Sequence, residues 1–221
     1  MPDKTLRIAT TDAVSVSAVR TPAKDARWTF IYAPGAGSNI HDPFGAYAAK
    51  ALASRGVTTV RFQFPYMEAG KRGPDRPPVL EATWRAVIDV VRDPRTRTVV
   101  GGRSMGGRIA SMVAASPDNA VAVDAVALFA YPLHPPGKPE QLRVAHLATL
   151  NAPTLFVSGT NDAFATPDEL RAATKQLKRT KLHLLDRADH GFAVPKSSGR
   201  TREDVWAEAV DAFVDWLAAV K

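Results

Sequence analysis

Short apolar runs alternate along the chain with longer stretches whose apolar residues recur at helical spacing. Residues 28–33, 57–62, 96–101, 121–130, 154–158 and 181–185 are apolar runs of the length expected for buried strands. Between them, residues 44–55, 79–92, 105–116 and 167–177 read as helices. Their limits are marked by turn chemistry. Gly56 closes the first, Pro77-Pro78 opens the second, Asp93-Pro94 ends it, and Pro117 stops the third. A last helix starts at Thr201, where Asp204 three residues on predicts a capping box. Val205, Trp206, Ala209, Val210, Phe213, Leu217 and Val220 then form one apolar stripe. At the other end, residues 6–10 and 14–20 alternate apolar and polar, which predicts an edge hairpin turning at Thr11-Asp12-Ala13.

Strand–helix alternation of this kind predicts an α/β fold: a mainly parallel, doubly wound sheet with helices on both faces. A chain of 221 residues is long enough to bury one sizeable core, so a single domain over residues 1–221 is expected. The two longest loops, 65–78 and 131–153, both follow strands. Both therefore belong at the carboxyl edge of the sheet, where such folds bind ligands. The second is too short for a large lid, so little or no cap domain is expected.

Composition narrows the classes further. Apolar content of 45% and charged content of 23% suit a soluble globular protein. The start, Met1-Pro2-Asp3-Lys4-Thr5-Leu6, has no apolar leader, and no apolar run reaches membrane-spanning length. A cytoplasmic location with no membrane partner is expected. The absence of cysteine excludes disulfides, thiolate metal sites and a cysteine nucleophile. The net charge of +7 comes from basic residues spread along the chain, and it reads as a solvated basic surface. Nucleic-acid binding would need a basic stripe or a known module, and neither is visible.

The chemistry centres on Gly102-Arg103-Ser104-Met105-Gly106, between a predicted strand and a predicted helix. A serine in a Gly-x-Ser-x-Gly bend at such a junction is the sequence form of a nucleophile elbow. Bulky neighbours would clash in so tight a turn. The helix N-terminus beside the serine favours developing negative charge. A phosphate-binding loop would end in Gly-Lys-Ser or Gly-Lys-Thr, whereas this run ends Gly106-Gly107-Arg108.

A serine hydroxyl needs a base beside it, and the base needs a group to orient it. Elbow enzymes carry these partners in the order serine, acid, histidine, each after a later strand. Asp162 follows the strand 154–158, and His190 follows the strand 181–185. His183 lies inside a strand, and His41, His134 and His146 precede the acid. Asp189 is too close to His190 for the required geometry. The catalytic set expected is therefore Ser104, His190 and Asp162. The oxyanion donors expected are the backbone N–H groups of Met105 and of Ala36, in Pro34-Gly35-Ala36-Gly37-Ser38. Tyr66 and Met67, with the loop from Tyr131, and Phe164 are expected to line the pocket. The elbow is expected to turn Arg103 away from it.

On these residues the chain resembles the α/β-hydrolase superfamily over nearly its whole length, and within it the small, nearly cap-less relatives of dienelactone hydrolase. It is most similar to the hydrolase-like family that includes a testis-expressed protein and a subunit of the NSL chromatin complex. That likeness is carried by Pro34-Gly35-Ala36-Gly37, Phe62-Gln63-Phe64-Pro65-Tyr66-Met67, Gly101-Gly102-Arg103-Ser104-Met105-Gly106-Gly107 and Tyr131-Pro132-Leu133-His134-Pro135-Pro136-Gly137. Two departures stand out. The oxyanion loop of the superfamily usually begins His-Gly, and here Pro34 replaces the histidine. Dienelactone hydrolases proper usually use cysteine. The expectation is a serine hydrolase acting on a small-molecule ester or related acyl bond, with no metal and no cofactor. The alternatives are a non-catalytic binding module of the same fold, or an acyltransferase using the same residues.

Overall fold

The computed structural model describes residues 1–11, 14–117 and 121–220. Eight strands form one sheet in the order β1-β2-β4-β3-β5-β6-β7-β8. β1 (Lys4–Ala9) and β2 (Ser15–Thr21) make the antiparallel edge hairpin, and β2 runs antiparallel to β4 (Val57–Phe62). Asp12 and Ala13 of the expected turn lie outside the described residues. From β4 onward the sheet is parallel, through β3 (Trp28–Ala33), β5 (Arg97–Arg103), β6 (Ala125–Phe129), β7 (Thr154–Gly159) and β8 (Thr180–Leu185).

Both faces of the parallel region are covered, which is why β3, β4, β6 and β7 are buried at every position. Side chains alternate across the sheet. Trp28, Phe30 and Tyr32 meet α1 (Pro43–Ala53) and α6 (Arg202–Ala219) through Phe44, Leu52, Ala209 and Phe213. Ile31 and Ala33 belong to the opposite core, with Trp84 and Ile88 of α3 (Pro77–Val91) and Ile109 and Val113 of α4 (Met105–Ala115). Among the described residues no cap covers the sheet; the fold is a mainly parallel α/β sheet with helices on both faces.

Sequence limits hold within a few residues, with instructive exceptions. Pro77 and Pro78 do not merely precede α3. They form its first turn, where a missing N–H costs nothing. The run 121–130 gives only Ala125–Phe129 as strand, because the Asp124 carboxylate takes the Thr98 N–H at 2.7 Å and Ala130 turns to φ 49°. The loop 65–78 holds a four-residue helix, α2 (Pro65–Glu68), and 131–153 holds a 3-10 turn at Ala145–Thr149. The capping box at Thr201 and Asp204 forms, as does a second at Thr166 and Glu169 that opens α5 (Pro167–Thr174). Among the described residues no helix is long and apolar enough to cross a membrane.

Candidate active site

Ser104 caps α4 directly after β5, with φ 51° and ψ −121°. This region is sterically poor for a residue with a side chain and typically costs about 1–3 kcal/mol, so the surroundings must impose it. They do so through backbone contact. A Cβ at Gly106 would lie 2.2 Å from the Ala33 carbonyl oxygen, and one at Gly102 would lie 2.0 Å from the same atom. The Ser104 N–H is also tied to the Phe129 carbonyl at 2.8 Å. The elbow is thus pressed against the end of β3, where the loop Pro34-Gly35-Ala36 begins. Gly35 comes close enough that its Cβ would lie 3.5 Å from Ser104 Cβ.

The expected partners converge on this serine. His190 Nε2 lies 2.9 Å from Ser104 Oγ, and His190 Nδ1 lies 2.9 and 3.0 Å from the two oxygens of Asp162. Asp162 is buried, and it also accepts the Phe164 N–H at 2.8 Å. That bond keeps one oxygen oriented while His190 uses the carboxylate. His190 remains partly exposed, as does Ser104, so a ligand has access to both. The loop after β7 therefore carries the acid, the loop after β8 carries the imidazole, and both reach the serine after β5.

The two expected donors occupy different settings. Met105 opens α4, so its N–H is among the amides without an intrahelical acceptor. Ala36 is exposed, in a turn closed by the Ser38 N–H on the Gly35 carbonyl at 3.1 Å.

Three pocket expectations look different in the structure. Tyr66 is only 1% exposed, and its hydroxyl accepts the Gly37 N–H at 3.0 Å. It supports the loop beside the serine and offers little ring surface to a ligand. Met67 packs on the apolar core. Tyr131 is also buried, with its hydroxyl donating to the Arg143 carbonyl at 2.8 Å, and burial pushes its phenol well above the usual range. Phe164 sits beside Asp162 and His190, but its ring stacks on His190.

Arg103 has a specific task. It donates to the His190 carbonyl at 3.1 Å and stands 3.7 Å from buried Asp42. Asp42 accepts the Tyr32 hydroxyl at 2.6 Å and the Gly45 N–H at 2.8 Å, which caps α1. Burial first, then the Asp42 charge, drives the Tyr32 phenol upward, so it stays a protonated donor. Asp42-Pro43 is legible in sequence as a helix start. Its link through Arg103 to the histidine loop joins residues far apart in the chain and leaves no local signature.

Among the described residues, no group of three or more His, Asp or Glu is placed to hold a metal ion. Solved structures share this architecture. A dienelactone hydrolase from Anabaena variabilis superposes with a TM-score of 0.76 at 19% identity, over 99% of this chain and 98% of that one. An α/β serine hydrolase homologue from Coxiella burnetii gives 0.74 at 21% identity, over 96% and 98%. A lid-less α/β serine hydrolase from Xanthomonas campestris gives 0.71 at 19%, over 98% and 96%. At these identities the likeness speaks for the fold. The family model described as an alpha/beta hydrolase domain matches residues 26–218, a span from just before β3 to the end of α6. The chain belongs to the α/β-hydrolase domain family.

Proposed function

We propose that the protein is a serine hydrolase that cleaves a small-molecule ester or related acyl bond through an acyl-enzyme intermediate. The observation that carries this reading is the unbroken hydrogen-bond chain from Ser104 Oγ through His190 to Asp162. Ser104 Oγ attacks the carbonyl carbon as its proton passes to His190 Nε2. Asp162 holds the other ring nitrogen and stabilises the imidazolium. The negative charge that builds on the carbonyl oxygen is taken by the Met105 and Ala36 N–H groups. Collapse of this intermediate expels the leaving group, which takes the proton from His190. Water, deprotonated by His190, then releases the acid and restores Ser104.

Serine hydrolase neighbours, one of them lid-less, support a hydrolase, and the resemblance to the small relatives of dienelactone hydrolase supports a nearly cap-less one. An open site of this kind suits small or extended acyl groups. The test is labelling by a fluorophosphonate probe, together with turnover of short p-nitrophenyl esters. The expected result is labelling and turnover in the wild type and neither in Ser104→Ala. A folded wild type that shows neither overturns the proposal.

A further inference from the structure

The carboxylate of Asp189, next to His190 in sequence, is committed to the main chain. Its Oδ1 accepts the Gly191 N–H at 2.7 Å and the Ala193 N–H at 2.8 Å. Backbone bonds close the same turn: the Asp189 N–H donates to the Ala193 carbonyl and the Phe192 N–H to the Asp189 carbonyl, both at 2.9 Å. An aspartate bonded to the amide two residues on closes a ring with its own chain. Here that ring runs from the Asp189 side chain through N, Cα and C of His190 to the Gly191 nitrogen. Both backbone dihedrals of His190 therefore lie inside it. One of them, φ, sets where the His190 Cβ points relative to the chain entering the turn.

We infer that Asp189 is a positioning residue for His190: by holding the Gly191 and Ala193 N–H groups it fixes the His190 backbone in the conformation that aims the imidazole at Ser104 and Asp162. This rests on the serine-hydrolase reading above, in which His190 is the base. Asp189 acts through the turn and not on the reacting atoms.

The turn carries strain that needs such a hold. Phe192 has φ 58°, a conformation that residues with side chains rarely adopt. Its ring is buried edge-on against Phe44, with centroids 5.2 Å apart. The two amides that Asp189 takes stand on either side of this residue. Among the described residues, the main-chain bonds from the Asp162 loop stop short of the turn, at Ala188, whose carbonyl accepts the Asn161 N–H at 2.9 Å. On the elbow side, Arg103 Nη2 donates to the His190 carbonyl at 3.1 Å. That carbonyl and the Gly191 N–H belong to one peptide. It is gripped at its oxygen by a cation and at its nitrogen by a carboxylate, and hydrogen bonds to ionised groups are the stronger kind. Gly191 permits the close approach: a Cβ there would lie 3.1 Å from Asp189 Oδ1 and 3.7 Å from Arg103 Nη2.

Asp189→Ala removes the acceptor, whereas Asp189→Asn keeps an oxygen for both N–H groups and removes the charge. In Asp189→Ala, kcat should fall by about ten- to a hundredfold, the range that misplacing a catalytic group by about 1 Å produces, with KM within about twofold of wild type. Asp189→Asn should restore kcat to within about threefold of wild type. A readout free of substrate is the downfield proton NMR signal of the His190 Nδ1–H on Asp162. It should be sharp in the wild type and in Asp189→Asn, and broadened or lost in Asp189→Ala. In the wild type the Gly191 and Ala193 amides should exchange slowly with solvent, which needs no variant. Wild-type kcat in Asp189→Ala overturns this inference alone, as does rapid exchange at both amides. Asp189→Asn as slow as Asp189→Ala also overturns it, because His190 would then depend on the charge and not on the turn. A wild type that neither labels with fluorophosphonate nor turns over esters overturns the hydrolase reading. The NMR signal still tests the positioning, and an unchanged signal in Asp189→Ala overturns that.

Discussion

The ring of Phe164 lies over the imidazole of His190, with centroids 4.1 Å apart and planes 28° from parallel. The same residue gives its N–H to Asp162. Phe164 thus touches His190 through its ring and Asp162 through its backbone. In the proposed mechanism the His190 ring becomes cationic, and an aromatic face beside it favours the cation by about 0.5–1 kcal/mol where solvent still reaches it.

Phe164→Leu should accordingly lower kcat by about two- to fivefold and leave KM nearly unchanged, because the backbone bond to Asp162 survives. Steady-state kinetics on a short ester measure both constants. A raised KM with wild-type kcat would instead assign the ring to substrate binding.

Replacements within the hydrogen-bond chain should not add. Ser104→Ala and His190→Ala should each lower kcat by about 10⁴- to 10⁶-fold, and the double variant should fall no further. Asp162→Asn keeps the shape but presents an amide to His190, and about 10⁴-fold is expected. Single-turnover assays on the purified variants check this; independent, multiplying losses would contradict a shared mechanism.

Arg103 offers a stability test. Arg103→Met removes the donor to the His190 carbonyl and the cation nearest buried Asp42. Asp42 keeps its bonds from Tyr32 and Gly45, so the loss should be about 1–3 kcal/mol in urea unfolding. Part of it should return in Arg103→Met/Asp42→Asn, where the Asp42 carboxylate is no longer left without Arg103. Stability equal to wild type in the single variant would show that the clamp contributes nothing.

His146 predicts an acid-sensitive fold. Burial, followed by the nearby Arg108 charge, lowers its pKa from 6.5 to about 4, and its Nε2 lies 2.8 Å from Ser111 Oγ. Tyr131 and Arg143 crowd the same place, and neither supplies a negative charge at neutral pH. Between those pH values the unfolded chain binds a proton at this histidine that the folded chain refuses. The stabilisation is therefore complete above about pH 6.5 and is lost as pH falls towards 4, by about 1–2 kcal/mol once residual solvent access is allowed for. His146→Gln should flatten that part of the stability–pH curve. An unchanged slope would show that other groups set it.

Strand and helix limits were legible because they depend on neighbours in the chain. The Gly and Pro residues around the elbow, α3 and α4, and the Thr201–Asp204 box, act over one turn. Where a limit depended on a distant group, sequence failed: β6 is shorter than its apolar run because Asp124 reaches Thr98. Tyr66 illustrates the same division at the site. Its place on the loop after β4 could be read from the order of elements, but its hydroxyl turned out to face Gly37.

By itself, then, the sequence determined which residues stand at the carboxyl ends of β5, β7 and β8, because strand periodicity and turn chemistry are local. Chain order put Ser104, Asp162 and His190 there. The approach of those three to hydrogen-bond distance, and the commitments of Arg103, Tyr66 and Phe164, were decided only by the tertiary structure. Hydrogen bonds lose their strength over a fraction of an ångström and a few tens of degrees. Only the packed arrangement of β3 against the elbow, and of the β7 and β8 loops against each other, sets distances that finely.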